Sequence, residues 1–198
     1  MSTPDPNAVF NLTKASVLVV EQSQHSLDVT SQMLKGFGAG EIVRGEALAE
    51  VEKRVESRPF ELIVIDPSIE DGRGYHFLTA LRRSAGPNAY TPVIIVSGHV
   101  RSADVARARD TGANYVVTKP ISPAVLLQRI LYVGRDRRQF VQTPTYVGPD
   151  RRFKFEGPPP GCEGRRSTDL KAPIGAAEEP NMSEAELEAF FKPQRVSL

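Results

Sequence analysis

The sequence predicts an α/β fold: a five-stranded parallel sheet, doubly wound with helices on both faces, followed by an extended irregular C-terminal tail. Three observations predict it. Short apolar runs such as VLVV, LIVI and VIIV are nearly continuous in hydrophobicity, as in strands buried on both faces. Segments with helical spacing separate these runs, so strand and helix alternate five times, and right-handed crossovers then place helices on both sides of a parallel sheet. Proline is concentrated late in the chain: 8 of the 16 prolines fall within residues 134–198, which argues against a second regular core there.

The elements follow in order. Ala15–Val20 is the first buried strand. Across His25–Phe37, the residues Leu27, Val29, Met33, Leu34 and Phe37 form a helical stripe, which Gly36 and Gly38 bring to an end. Glu41–Val43 reads as a weak strand and Ala47–Val55 as a helix. Phe60–Ile65 is the third strand, followed by a loop and the helix Tyr75–Arg83. Thr91–Val96 is the fourth strand, with a helix over Ala103–Asp110. Tyr115–Val117 is the fifth strand, and Pro123–Val133 is a strongly amphipathic helix. The organisation is then a polar N-terminus over 1–14, an α/β domain over 15–133 and a Pro/Arg-rich extension over 134–198.

Composition narrows the function. With 25 Lys and Arg against 24 Asp and Glu, the net charge is +1, which disfavours a generic nucleic-acid binder. The single cysteine, Cys162, excludes an internal disulfide framework and a cysteine-based zinc cluster. The N-terminus lacks the basic and apolar regions of a signal peptide, and no apolar run approaches the length of a membrane span. A soluble cytoplasmic protein with no membrane association is expected. His25, His76 and His99 are scattered without metal-ligand spacing, and no phosphate-binding glycine loop or catalytic triad signature is present.

In open α/β sheets the site lies beyond the carboxyl ends of the strands. Strand one ends in Glu21-Gln22, strand three in Asp66, strand four in Ser97-Gly98 and strand five in Lys119-Pro120. Acids, a hydroxyl and an ammonium would thus surround one crevice. Such a set suits phosphoryl transfer onto a carboxylate, with hard oxygen ligands for Mg²⁺.

The segments VLVVEQ, LIVIDPSIEDGRGYHFLTALR, TPVIIVSG and GANYVVTKP, in that order and spacing, resemble the receiver domain of two-component response regulators over about residues 15–133. The resemblance implies the flavodoxin-like (βα)5 arrangement. It implies Asp66 as phospho-acceptor, with Ser97 as the switch hydroxyl and Gly98 leaving access beside it. Lys119 would pair with the aspartyl phosphate and precede a cis peptide bond to Pro120. Mg²⁺ would be held by Glu21, Gln22, Asp66 and the backbone carbonyl of Ser68. A histidine kinase or phosphotransfer protein would donate the phosphoryl group, and slow self-hydrolysis would remove it.

Three departures stand out. Gln22 takes the place of the second acid after strand one, which weakens the expected Mg²⁺ binding. Glu70 replaces the proline usually found four residues beyond the acceptor. The aromatic switch position aligns with Val116, while Tyr115 stands one residue early and so faces the other side of the sheet.

The extension contains an internal repeat. Tyr132–Arg138 (YVGRDRR) recurs as Tyr146–Arg152 (YVGPDRR), with a looser echo at Gly161–Arg166. Each copy joins a turn former, an acid and paired arginines, so Arg137, Arg138, Arg151, Arg152, Arg165 and Arg166 are candidate partner-binding groups. The turns are expected to dock on the receiver, on a second copy of it or on an acidic partner. Gly157–Gly161 reads as a polyproline-like spacer. Ser183–Lys192 reads as a short helix opened by a capping box from Ser183 to Glu186.

The expectation is therefore a response regulator without a DNA-binding output domain and without enzymatic activity beyond its own phosphorylation and dephosphorylation. It would signal to a downstream protein or through a homodimer. The alternative is a phosphorylation-independent scaffold whose tail binds a partner protein, with an anionic ligand or RNA the less favoured occupant.

Overall fold

A computed structural model of the chain describes residues 12–98, 102–136 and 138–150. The first eleven residues, Arg137, the later arginines Arg151, Arg152, Arg165 and Arg166, the proline spacer and the C-terminal capping-box helix lie outside the described residues.

Five strands form one parallel sheet: β1 (Ser16–Val20), β2 (Glu41–Gly45), β3 (Leu62–Ile65), β4 (Val93–Ser97) and β5 (Tyr115–Thr118), in the order β2-β1-β3-β4-β5. The expected architecture is present. Strands β1, β3 and β4 sit in the middle and are buried along almost their whole length, so their apolar runs serve two cores at once. Side chains alternate between those cores. Leu18, Val20, Ile63, Ile65 and Ile95 face α2 (Leu48–Ser57) and α4 (Gly74–Arg83). Val17, Val19, Val64, Ile94 and Val96 face α1 (Gln24–Gly36) and α6 (Pro123–Gly134). The period-two parity also separates Val116 and Tyr115 onto the two cores, as the sequence implies.

Local chemistry sets the boundaries. Ser23 caps α1 by accepting from the Ser26 N–H, and Ser122 caps α6 ahead of Pro123. β2 runs two residues beyond the expected Val43, because its ladder with β1 continues to Gly45. β3 starts two residues after Phe60, whose N–H donates instead to the buried Asn88 side chain at 2.8 Å. Between β3 and α4 lies a tight turn, α3 (Ile69–Gly72), in which Glu70 and Asp71 have φ of 47° and 58°. The remaining helix, α5 (Ser102–Asp110), precedes β5.

The ordered fold extends past residue 133, where the sequence places the domain end. β6 (Phe140–Gln142) and β7 (Val147–Pro149) form an antiparallel hairpin. It docks at the end of the domain where α4 stops and β5 begins. The Phe140 ring lies edge-on to Tyr90 at 5.3 Å and beneath the Arg82 guanidinium at 5.1 Å. Gly112, with φ of 80°, has room for no side chain, since an added Cβ would stand 2.3 Å from the Val147 carbonyl oxygen.

Arg82, only 3% exposed, organises this junction. It donates to the carbonyls of Gly112, Ala89 and Thr91 and to the Asn114 side chain. Burial pushes its guanidinium down to about 10, so it remains charged at neutral pH. Arg138, a candidate partner-binding residue from the sequence, is committed here. It pairs with Asp136 at 2.6 Å and donates to the Asn114 carbonyl, so its fork faces the domain and not an external partner. Burial would raise the Asp136 carboxyl, but Arg138 outweighs this and holds it below its ordinary value.

Candidate functional site

The carboxyl ends of β1, β3, β4 and β5 deliver the candidate residues to one edge of the sheet. Asp66 follows β3, and its N–H donates to the Val20 carbonyl at 2.9 Å; Glu21 follows β1 and donates to the Gly45 carbonyl at 3.0 Å. These bonds continue the strand ladders by one residue and fix the direction of both acids. Lys119 is held in the same way, its N–H donating to the Ser97 carbonyl at 2.8 Å, and the Lys119-Pro120 bond is cis.

The three side chains converge. Lys119 Nζ donates to Asp66 Oδ2 at 2.7 Å and to Glu21 Oε2. Asp66 and Glu21 are 6% and 8% exposed, so the ammonium is the cation that offsets two nearly buried carboxylates. Burial alone would lower the Lys119 ammonium, but hydrogen bonds and charge from Asp66 and Glu21 outweigh it and hold it above its ordinary value. On the other side, Asp66 Oδ1 accepts from both the N–H and the hydroxyl of Ser68. Ser97 is the last residue of β4 and is 6% exposed. The ladder aligns Ile65 with Ile95, so Ser97 stands one residue beyond the level of Asp66 on the neighbouring strand. Beside it, a Cβ at Gly98 would meet nothing within 4 Å among the described residues.

The loop after Asp66 is held from below by a close approach. A Cβ at Gly74 would come within 2.8 Å of the Pro67 backbone, so α4 can begin directly beneath the loop only with glycine there.

A divalent cation fits this donor set with reduced charge. Two carboxylates, an amide oxygen and a carbonyl are available as hard oxygen donors, the amide oxygen at the expense of its present hydrogen bond. The Ser68 carbonyl accepts from the Gly72 N–H at 3.1 Å, and Gln22 Oε1 accepts from the Glu70 N–H at 3.1 Å. Among the described residues no group of three or more His, Cys, Asp or Glu side chains gathers to hold a metal; Gln22, next to Glu21 in the chain, brings an amide in place of a carboxylate.

Sequence reasoning missed the role of Glu70. α2 has Ala47 at its N-cap and no side-chain cap of its own. Glu70 supplies one from outside: its Oε1 accepts from the Leu48 N–H at 2.7 Å, while its Oε2 pairs with Arg73 at 2.7 Å. The signal available in the sequence was only the uncapped start of α2.

Three comparisons bear on this geometry. A family model described as the response regulator receiver domain matches residues 17–131, more than half of the chain. The swarming motility regulation protein RssB of Serratia marcescens is 31% identical over 101 residues, 51% of this chain and 45% of that protein. The protein-glutamate methylesterase/protein-glutamine glutaminase 1 of Myxococcus xanthus is 30% identical over 144 residues, 72% of this chain and 40% of that protein. The chain thus spans about half or less of the length of these curated relatives. Among solved structures, a CheY-like receiver domain protein from Methanospirillum hungatei aligns with a TM-score of 0.54 at 24% identity, covering 60% of this chain and 91% of that one.

Proposed function

The chain belongs to the response regulator receiver family, and from that premise we propose that Asp66 accepts a phosphoryl group from a phosphohistidine donor and that the acylphosphate alters binding to another protein. Receiver domains are signalling modules of two-component systems, and those of this family generally bind Mg²⁺ at their acidic pocket. Among the described residues no helix is long and apolar enough to cross a membrane.

One observation carries the reading: Lys119 Nζ bridges the nearly buried carboxylates of Asp66 and Glu21. A carboxylate oxygen of Asp66 attacks phosphorus, the N–P bond of the phosphohistidine breaks, and the departing imidazole nitrogen keeps the electron pair. Lys119 exchanges part of its contact with the carboxylate for one with a phosphoryl oxygen, so its charge follows the charge that arrives. The Ser97 hydroxyl closes on another phosphoryl oxygen. Mg²⁺, held by Asp66, Glu21, the Gln22 amide oxygen and the Ser68 carbonyl, would neutralise phosphoryl charge. Water then attacks phosphorus, and cleavage of the acyl phosphate returns Asp66 and inorganic phosphate.

The test is addition of beryllofluoride with Mg²⁺ to the full chain, followed by amide NMR. Signals near Asp66, Ser97 and Lys119 should move, and Asp66→Ala should abolish the response. A full response in Asp66→Ala, or none in the wild type at millimolar Mg²⁺, overturns the reading. The second reading, a phosphorylation-independent scaffold, draws on Gln22, whose lack of charge leaves the crevice with two carboxylates. It predicts no response to beryllofluoride and partner binding indifferent to Asp66→Ala.

A further inference from the structure

We propose that Gln22 and Glu70 form one positioning unit, which ties the acceptor loop to the start of α2 and competes with a divalent cation for the Gln22 amide oxygen. The second half of this proposal rests on the metal reading of the crevice given above; the first half does not.

As departures from the family pattern, Gln22 and Glu70 look like separate losses, an acid on one loop and a proline on another. In the structure they meet in a single hydrogen bond, from the Glu70 N–H to Gln22 Oε1. A proline at position 70 has no N–H to give. The two replacements are therefore matched: the residue that drops a metal-binding charge acquires a partner that only a non-proline residue provides.

Glu70 also carries a cost that needs an explanation. Its φ of 47° lies in the left-handed region, which an L side chain adopts only where its surroundings hold it there. Three contacts do so. Gln22 takes the backbone N–H, the Leu48 N–H donates to Oε1, and Arg73 holds Oε2. The Leu48 contact satisfies one of the orphan donors of α2, whose own N-cap, Ala47, has no side-chain acceptor. It also sets a carboxylate at the positive end of the helix. The result is a continuous path from the loop after β1, through the turn after Asp66, to the first residue of α2. Gln22 Oε1 is at once the first link of this path and the atom with which that residue could ligate Mg²⁺. A cation that draws the amide oxygen toward the crevice loosens the Glu70 turn, and with it the cap on α2. By linkage, a firmly capped α2 weakens cation binding by the same factor.

The experiment measures amide hydrogen exchange at Leu48 and at residue 70 in the full chain, with and without saturating Mg²⁺. It compares the wild type with Gln22→Ala, Glu70→Gly and the double variant. Glycine suits the positive φ, keeps the N–H and removes the side chain that carries the carboxylate, so Glu70→Gly separates the cap from the backbone turn. Without Mg²⁺, each single variant should speed exchange at Leu48 about fivefold, the size of a lost helix cap. The double variant should be no faster than Glu70→Gly, because both changes cut one path. Mg²⁺ should speed Leu48 exchange several-fold in the wild type and leave it unchanged in Gln22→Ala. Unchanged Leu48 exchange in either single variant, or a double variant equal to the product of the two, overturns the positioning unit. Mg²⁺ that leaves Leu48 unchanged in the wild type overturns the competition. If Leu48 behaves as stated while Asp66 gives no response to beryllofluoride, the phosphorylation reading fails and the positioning unit stands.

Discussion

Lys119→Met isolates the electrostatic claim at the centre of the crevice. Methionine keeps the length of the stem and removes the charge. The variant leaves Asp66 and Glu21, with side chains 7% and 10% exposed, without the cation that bridges them. Removing one partner of a buried ion pair costs about 3–5 kcal/mol. Here the Lys119 side chain is 24% exposed, and Ser68 and Ser23 still donate to the two carboxylates. Water and these donors reduce the expected loss to about 2–3 kcal/mol, which urea unfolding can read directly. Two controls tie the loss to charge. A divalent cation can take the place of the ammonium, so Mg²⁺ should restore more stability to the variant than it adds to the wild type; a ligand at 100 times its Kd contributes about 2.7 kcal/mol. The second control is alkaline pH. The folded-state value of Lys119 is raised above 10.5, so the contribution of the pair is complete below 10.5 and is lost as pH rises through that higher value. The gap between wild type and variant should be constant from neutral pH to about 10 and narrow beyond it. A loss below about 1 kcal/mol, or Mg²⁺ stabilising both proteins equally, would refute the account of Lys119 as the counter-ion of the crevice.

Other outcomes follow from the same geometry. Gln22→Asp adds a third carboxylate at the proposed metal position and should tighten Mg²⁺ at least tenfold by titration calorimetry, an increase that unchanged affinity would rule out. Arg82→Leu strands the Gly112, Ala89 and Thr91 carbonyls and the Asn114 side chain. It should cost about 2–4 kcal/mol in urea unfolding, and a loss under about 1 kcal/mol would show the buried guanidinium to be dispensable. Gly112→Ala combines a φ of 80° with a Cβ 2.3 Å from the Val147 carbonyl. It should cost about 1–3 kcal/mol and release the hairpin, seen as faster amide exchange at Val147; a hairpin as protected as in the wild type would contradict the close approach.

What the sequence made legible was local. Runs such as VLVV and LIVI declare buried strands, and period-two parity separates Tyr115 from Val116 without any coordinates. The strand ends could be read because a parallel sheet gathers them at one edge, which brings Glu21, Asp66 and Lys119 within hydrogen-bond reach. What stayed hidden depends on partners far away in the chain. β3 begins late because Asn88, 28 residues on, takes the Phe60 N–H. The cap of α2 comes from Glu70, 22 residues downstream of the N–H it accepts. The hairpin has strands of only three residues each, too short to show a period, with Pro144 between them. Its stability comes from Tyr90, Arg82 and Gly112, none of which marks its target by composition. The repeat was visible as a sequence, but only the packing reveals that Arg138 of its first copy turns inward onto Asp136 and Asn114.

The crevice and the hairpin stand at opposite ends of α4. Its first residue, Gly74, packs under the loop after Asp66 against Pro67, and near its last turn Arg82 holds the hairpin junction. Ten helical residues span about 15 Å, beyond the separation at which mutations without shared partners usually couple. None of Asp66, Glu21 and Ser97, which bond Lys119, also contacts Arg82 or Gly112 among the bonds that define the two places. Combining Lys119→Met with Gly112→Ala should therefore give the sum of the two single losses to within about 0.5 kcal/mol. A shortfall or excess of more than about 1 kcal/mol would mean that strain passes between the two places, along α4 or along β5, which separates Gly112 from Lys119. The hairpin would then be a mechanical part of the receiver, and not a clasp that closes the far end of the sheet.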